Sequence, residues 1–140
     1  MRRAIASWII VLSVFLALGA QAAFAGSPHF VSNTVSVSRE GNSLTVSGKE
    51  AGLGDEDAVH IAVTATAACI NPGDKHPKAA NKESFSADGY FPVQNGKADF
   101  SLTVTATFTP NCTPPMTVVF SNVTVTDTTN GISKSFSGTF

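Results

Sequence analysis

The chain has 140 residues, of which 43% are hydrophobic and 14% charged, with a formal net charge of −1 at pH 7. This length predicts one domain with enough residues to bury a core. The nearly neutral charge argues against a nucleic-acid-binding protein, because such proteins concentrate basic residues on one face.

The first 25 residues have the three-part pattern of a secretory signal peptide. Arg2 and Arg3 provide positive charge, residues 5–18 are almost entirely apolar, and Ala23-Phe24-Ala25 places small residues at a cleavage site. We expect a signal helix over residues 1–25, cleaved after Ala25, and a secreted or periplasmic domain over 26–140. The apolar run is shorter than the roughly 20 residues that span a membrane, so no membrane span is expected in the mature chain. Without Arg2 and Arg3, nine basic residues become seven against ten acidic ones.

The remaining chain alternates Ser and Thr with β-branched residues, which is typical of strands. Asn95-Gly96 and Asn130-Gly131 predict hairpin turns, and a bulge is expected near Ser121-Asn122. Together these signals predict an all-β fold, an immunoglobulin-like seven-stranded antiparallel sandwich, with a small barrel as the alternative. The predicted strands lie around residues 31–37, 44–46, 59–69, 85–93, 100–106, 116–125 and 132–140. The fourth is expected to lie at a sheet edge or to contain a bulge.

Two cysteines, Cys69 and Cys112, follow the signal segment. In an exported protein an even count of two predicts one disulfide. Closing the loop between them contributes about 4 kcal/mol of stability in the chain-entropy model. Since Cys69 lies at a strand end and Cys112 in a Pro-rich loop, the bridge is expected to join two loops at one end of the sandwich.

The segment Ala68-Cys69-Ile70-Asn71-Pro72-Gly73, followed by a Lys-, Pro- and Asn-rich loop, resembles a group of short exported bacterial proteins. In that group a Val/Thr/Ala strand leads into Cys-x-Asn-Pro-Gly, and a second cysteine precedes the final strands. The group has no assigned activity, so the resemblance implies a fold and a disulfide. A weaker similarity to apoproteins of the neocarzinostatin type implies a small-ligand carrier, although the chain lacks their second disulfide.

The loop over residues 70–82 is locally basic on an otherwise acidic domain. It contains Lys75, His76, Lys78 and Lys82, and long loops on rigid sandwiches often carry binding residues. We therefore predict a recognition loop for an anionic surface, a polysaccharide or a protein. The alternative is an inert, solvated loop.

Metal and catalytic patterns are weak. Asp55, Glu56 and Asp57 are a weak candidate calcium site because calcium prefers several carboxylate oxygens, but their spacing is not that of an EF-hand and a solvated turn is the favoured explanation. The three histidines lie too far apart in the predicted fold for zinc, and no cofactor is expected. No serine lies in a nucleophile-elbow motif, and both cysteines are expected to be oxidised, so no enzyme activity is expected.

These patterns predict a non-catalytic binding or structural module at or outside the cell surface. A small-ligand carrier is the alternative, with an apolar pocket between loops 70–82 and 107–115 lined by residues such as Phe108, Met116 or Tyr90. A secreted enzyme is the third possibility. The sequence does not identify the partner.

Overall fold

A computed structural model describes residues 26–72 and 81–140 of the protein. The predicted signal helix lies outside the described residues. Within them the all-β prediction is confirmed, with eight strands and no α-helix. The strands are β1 (His29–Phe30), β2 (Ser36–Glu40), β3 (Ser43–Ala51), β4 (Ala58–Ile70), β5 (Lys82–Pro92), β6 (Lys97–Thr105), β7 (Thr117–Asp127) and β8 (Ile132–Phe136).

The strands form two antiparallel sheets. In the first, β3 pairs with β1 and β2 along one side and with β6 along the other. The second has the order β5-β4-β7-β8, so β5 is an edge strand of this sheet, as predicted. The predicted first strand is divided in two, because a turn closed by the Thr34 N–H and the Val31 carbonyl separates β1 from β2.

The core lies between the two sheets and follows strand alternation. Val59, Ile61 and Val63 of β4 are fully buried, whereas His60 and Thr64, in the alternate phase, face outward. The first sheet contributes Leu44, Val46, Phe100, Leu102 and Val104, and β7 contributes Phe120, Val123 and Val125.

Two local predictions are confirmed in β7 and at the β5–β6 turn. The β4–β7 register shifts between Thr64 and Thr66, opposite Asn122, which has a positive φ of 50°. This bulge brings Phe120 and Val123 to the same buried face. The turn at Asn95-Gly96 also forms, with φ values of 52° and 72°.

The β5–β6 turn joins strands of different sheets, so it does not start the long hairpin that its sequence predicts. Only Gln94 and Lys97 pair across it, while β5 pairs with β4 and β6 pairs with β3. Pro92 contributes to this divergence because it has no N–H for a ladder, and the next N–H, of Val93, donates to the Asp57 carbonyl.

Candidate functional site

The predicted disulfide is confirmed. Cys69, near the end of β4, is bonded to Cys112 in the β6–β7 connection, with the two Cα atoms 5.7 Å apart. As predicted, the bridge lies at one end of the sandwich, called the disulfide end below. It joins a strand to a loop rather than two loops, because β4 continues to Ile70. A disulfide is compatible with a location outside the cytoplasm.

Most of the predicted recognition loop lies outside the described part of the chain. Lys75, His76 and Lys78 lie outside the described residues. Lys82 is the first residue of β5, where it is exposed and pairs with Ala68 of β4. The role of this loop therefore stays a prediction.

A cleft of about 420 Å³ opens beside the disulfide. Phe108 packs edge-on against Phe85 with ring centroids 5.8 Å apart, and the Met116 sulfur lies 3.8 Å from the Cys69 sulfur. Two of the three residues named for a carrier pocket therefore meet here, whereas Tyr90 lies elsewhere. The lining is mixed rather than apolar, and it comprises Cys69, Asn81, Glu83, Thr107, Phe108, Thr109, Pro110 and Met116.

The candidate calcium residues lie in the turn between β3 and β4. Asp55 and Asp57 are exposed and Glu56 is half-buried. Within residues 26–72 and 81–140, no group of three or more His, Cys, Asp or Glu side chains is placed to hold a metal ion. Glu56 instead accepts a hydrogen bond from the Asn130 amide at 3.1 Å.

Two fully buried carboxyl groups near this turn, one from each sheet, interact electrostatically. Glu50 belongs to β3 and Asp127 to β7, and both are fully buried. The Asp127 Oδ1 atom accepts the N–H groups of Thr129 at 2.8 Å and Asn130 at 3.1 Å, and Oδ2 accepts the Asn130 amide at 2.6 Å. Neither carboxyl oxygen of Glu50 has a hydrogen-bond donor.

Burial raises the pKa of Glu50 to about 8, and two further effects act in the same direction: protonated Glu50 can donate a hydrogen bond to Asp127, and the charges of Asp127 and Glu56 repel its ionised form. Glu50 is therefore mostly protonated at neutral pH, and its O–H supplies the donor that two ionised carboxylates would lack.

Sequence reasoning missed this pair, although a signal was present. Glu50 continues the inward phase of Leu44 and Val46, and Asp127 continues that of Val123 and Val125. Acidic residues at strand ends are normally assigned to solvated turns, so the phase alone did not mark them as buried.

A second polar group lies on the outer face of the second sheet. His60 of β4 lies between two partners, with Nε2 2.7 Å from Asp88 Oδ2 and Nδ1 2.6 Å from Thr128 Oγ1. The Tyr90 ring packs on the imidazole with centroids 4.7 Å apart at 46°. We call His60, Asp88, Tyr90 and Thr128 the His60–Tyr90 platform.

The platform continues into a band of small hydroxyl side chains along β4 and β5. Thr64 pairs with Ser86 and Thr66 with Ser84 in the same outward phase as His60 and Tyr90. Tyr90 is 77% exposed and is the one large hydrophobic side chain of the described residues that is exposed. The face thus combines an aromatic ring, a carboxylate and hydroxyl groups.

Thr128, His60 and Asp88 have the order of a hydroxyl–imidazole–carboxylate triad, but the turn that carries Thr128 has its N–H groups occupied. The Thr128 hydroxyl donates to the His60 carbonyl at 3.2 Å. The N–H groups of Thr128, Thr129 and Asn130 are all hydrogen-bonded within the protein. Consequently no N–H of this turn is free to stabilise an oxyanion.

Among the described residues, no helix has the length and apolar character needed to cross a membrane. No family model matches the chain, and no curated protein or solved structure shows significant similarity to it.

Proposed function

We propose that this protein is an exported, non-catalytic binding module that recognises polysaccharide through the His60–Tyr90 platform. The signal-peptide pattern and the disulfide support export. The observation that carries the binding proposal is Tyr90, which is 77% exposed and held by an imidazole that is itself fixed on both ring nitrogens.

We further propose that the sandwich is immunoglobulin-like. One sheet is built around β3 and the other has the order β5-β4-β7-β8. The chain crosses between sheets after β3, after β5 and after β6, which is the type of connection that Greek-key sandwiches use. In this arrangement the platform lies on a sheet face rather than in the loops at an end.

The chemistry of the platform favours a sugar over the other predicted partners. An aromatic ring packs against the C–H face of a pyranose, while Asp88 and neighbouring hydroxyls hydrogen-bond sugar hydroxyls. Asp88 is unfavourable for an anionic surface, and the polar band lacks the apolar centre of a protein interface. Because the ring is already held on His60, little conformational entropy is lost on binding.

Replacing Tyr90 by Ala should weaken binding to insoluble cell-wall polysaccharide by about tenfold, since exposed aromatic anchors carry a large share of binding energy. The measurement is a co-sedimentation isotherm with peptidoglycan, chitin and cellulose. Tyr90→Phe should retain binding, and Ser101→Ala on the outer face of the other sheet should have no effect.

Equal binding by wild type and Tyr90→Ala would contradict the platform. If binding instead disappears in a variant with Lys75, Lys78 and Lys82 changed to Gln, the predicted recognition loop is the binding site. The melting temperature of each variant controls for folding, and it should be unchanged because Tyr90 is largely exposed.

The cleft at the disulfide end supports a second candidate, the small-ligand carrier. Phe108 and Met116 offer aromatic and thioether surface beside the disulfide. In that case an aromatic fluorescent probe such as anilinonaphthalene sulfonate should bind at one site, and Phe108→Ala should weaken it several-fold. Tyr90→Ala is the matched control and should not affect the probe. Non-saturable probe binding would exclude the carrier.

A further inference from the structure

The buried carboxyl pair joins the two sheets opposite the disulfide end. Glu50 lies one residue before the end of β3 and Asp127 is the last residue of β7, whereas Cys69 lies near the other end of β4. In the β4–β7 ladder, Asp127 pairs with Ile61 and Val118 pairs with Cys69, which separates the two features along the sandwich. The disulfide therefore crosslinks one end of the sandwich, and the carboxyl pair connects the two sheets at the opposite end.

We infer that Glu50 and Asp127 form a proton-dependent latch, which closes this end of the sandwich when Glu50 carries a proton and loosens it when Glu50 is ionised. Both side chains are fully buried and come from different sheets, and Glu50 has no other donor or acceptor partner. Removing the proton leaves two negative charges facing each other in a low-dielectric interior without a donor between them.

No described positive group compensates for ionisation of Glu50. Asp127 faces it from β7 and Glu56 from the β3–β4 turn, and both are acidic. Its backbone partners on β1 and β6 are Phe30 and Ala98, which do not titrate. The neighbouring His29 and Lys97 are exposed on the outside of the sheet. Every charged group that faces Glu50 within the described residues therefore opposes its deprotonation.

The latch is connected to the His60–Tyr90 platform through one turn. Asp127 holds the N–H groups of Thr129 and Asn130. Thr129 Oγ1 accepts the His60 N–H at 2.9 Å, and the Thr128 N–H donates to the His60 carbonyl at 2.9 Å. Movement of Asp127 thus changes the support of His60. The consequence for sugar binding rests on the proposed function, whereas the latch itself does not.

The direction of the pH dependence follows from the raised pKa of Glu50, from 4.5 to about 8. Folding favours the protonated form, so the stabilisation is complete at acidic pH and is lost as the pH rises from 4.5 to about 8. Thermal unfolding of the full chain at pH 5 to 9 should show a fall in melting temperature of about 10 °C.

Glu50→Gln should remove most of this fall, because its amide donates to Asp127 at every pH and carries no charge. Glu40→Gln, at an exposed position on β2, is the matched control and should keep the wild-type pH dependence. An equal fall in Glu50→Gln and wild type would overturn the latch. Should Glu50→Gln not fold, the ¹³C-carboxyl titration of Glu50 in the wild type decides, since a midpoint in the ordinary range for glutamate contradicts it.

The connection to the platform is tested by amide hydrogen exchange without any sugar present. Protection of the Thr129 and Asn130 amides, corrected for intrinsic exchange, should decrease at least threefold between pH 6 and pH 9 in the wild type. It should stay constant in Glu50→Gln. Constant protection in the wild type would contradict the connection, because ionisation of Glu50 would then leave the turn that supports His60 unchanged. Because no ligand is used, failure of polysaccharide binding leaves this result unaffected.

Discussion

Replacing Cys69 and Cys112 by Ala should destabilise the domain by about 4 kcal/mol, which is a large share of the 5–15 kcal/mol typical of a small domain. The bridge joins residues separated by 43 positions, so its loss releases a long loop in the unfolded chain. The measurement is urea unfolding under oxidising conditions, with the change taken from the midpoint at constant m-value.

Wild type treated with a reducing agent is the control for the double substitution and should lose a similar free energy. The pH dependence assigned to Glu50 should persist in the Ala variant, because the disulfide and the carboxyl pair lie at opposite ends and distant sites act additively. A decrease of less than about 1 kcal/mol in the free energy of unfolding would contradict this prediction, since the disulfide end would then be stable without the bond.

Asp127→Ala should destabilise the domain by about 3 kcal/mol at pH 5 and by less at pH 9. At both pH values the substitution removes the acceptor of the Thr129 N–H, the Asn130 N–H and the Asn130 amide. At pH 5 it also removes the acceptor of the Glu50 proton. At pH 9 it relieves repulsion of the ionised Glu50 carboxylate, so part of the loss is recovered.

Urea unfolding at the two pH values measures this difference. Asp99→Ala is the matched control, because its carboxylate is 83% exposed in a 3.6 Å ion pair with Lys49 and should contribute almost nothing. The same destabilisation at pH 5 and pH 9 would contradict the close interaction of Asp127 with Glu50.

Strand alternation predicted much of the fold because it is a local property. The buried phase of β4, the bulge opposite Thr64 and Thr66, and the Asn95-Gly96 turn can all be recognised within short segments. Which sheet a strand joins depends on residues far away in the chain. The turn at Asn95-Gly96 therefore predicted that β5 and β6 pair with each other, although they belong to different sheets.

The site residues were less predictable because each depends on register between distant strands. His60 meets Asp88 through the offset of β4 against β5, and Thr128 through the β7–β8 turn. Glu50 and Asp127 meet only when the two sheets are stacked. The cysteine pair was predictable because a two-cysteine chain offers a single pairing, whereas acidic residues offer many.

The position of the disulfide also sets how far this domain extends when it is pulled. The bond encloses β5 and β6, which lie between Cys69 and Cys112. A force applied between the two ends of the chain cannot stretch the segment between the two cysteines, whose positions differ by 43. The extended length of the domain is therefore shorter by roughly 15 nm than that of the reduced chain. Asp88 and Tyr90 lie inside it, so their strand bears no tension from the termini even when the outer strands unravel.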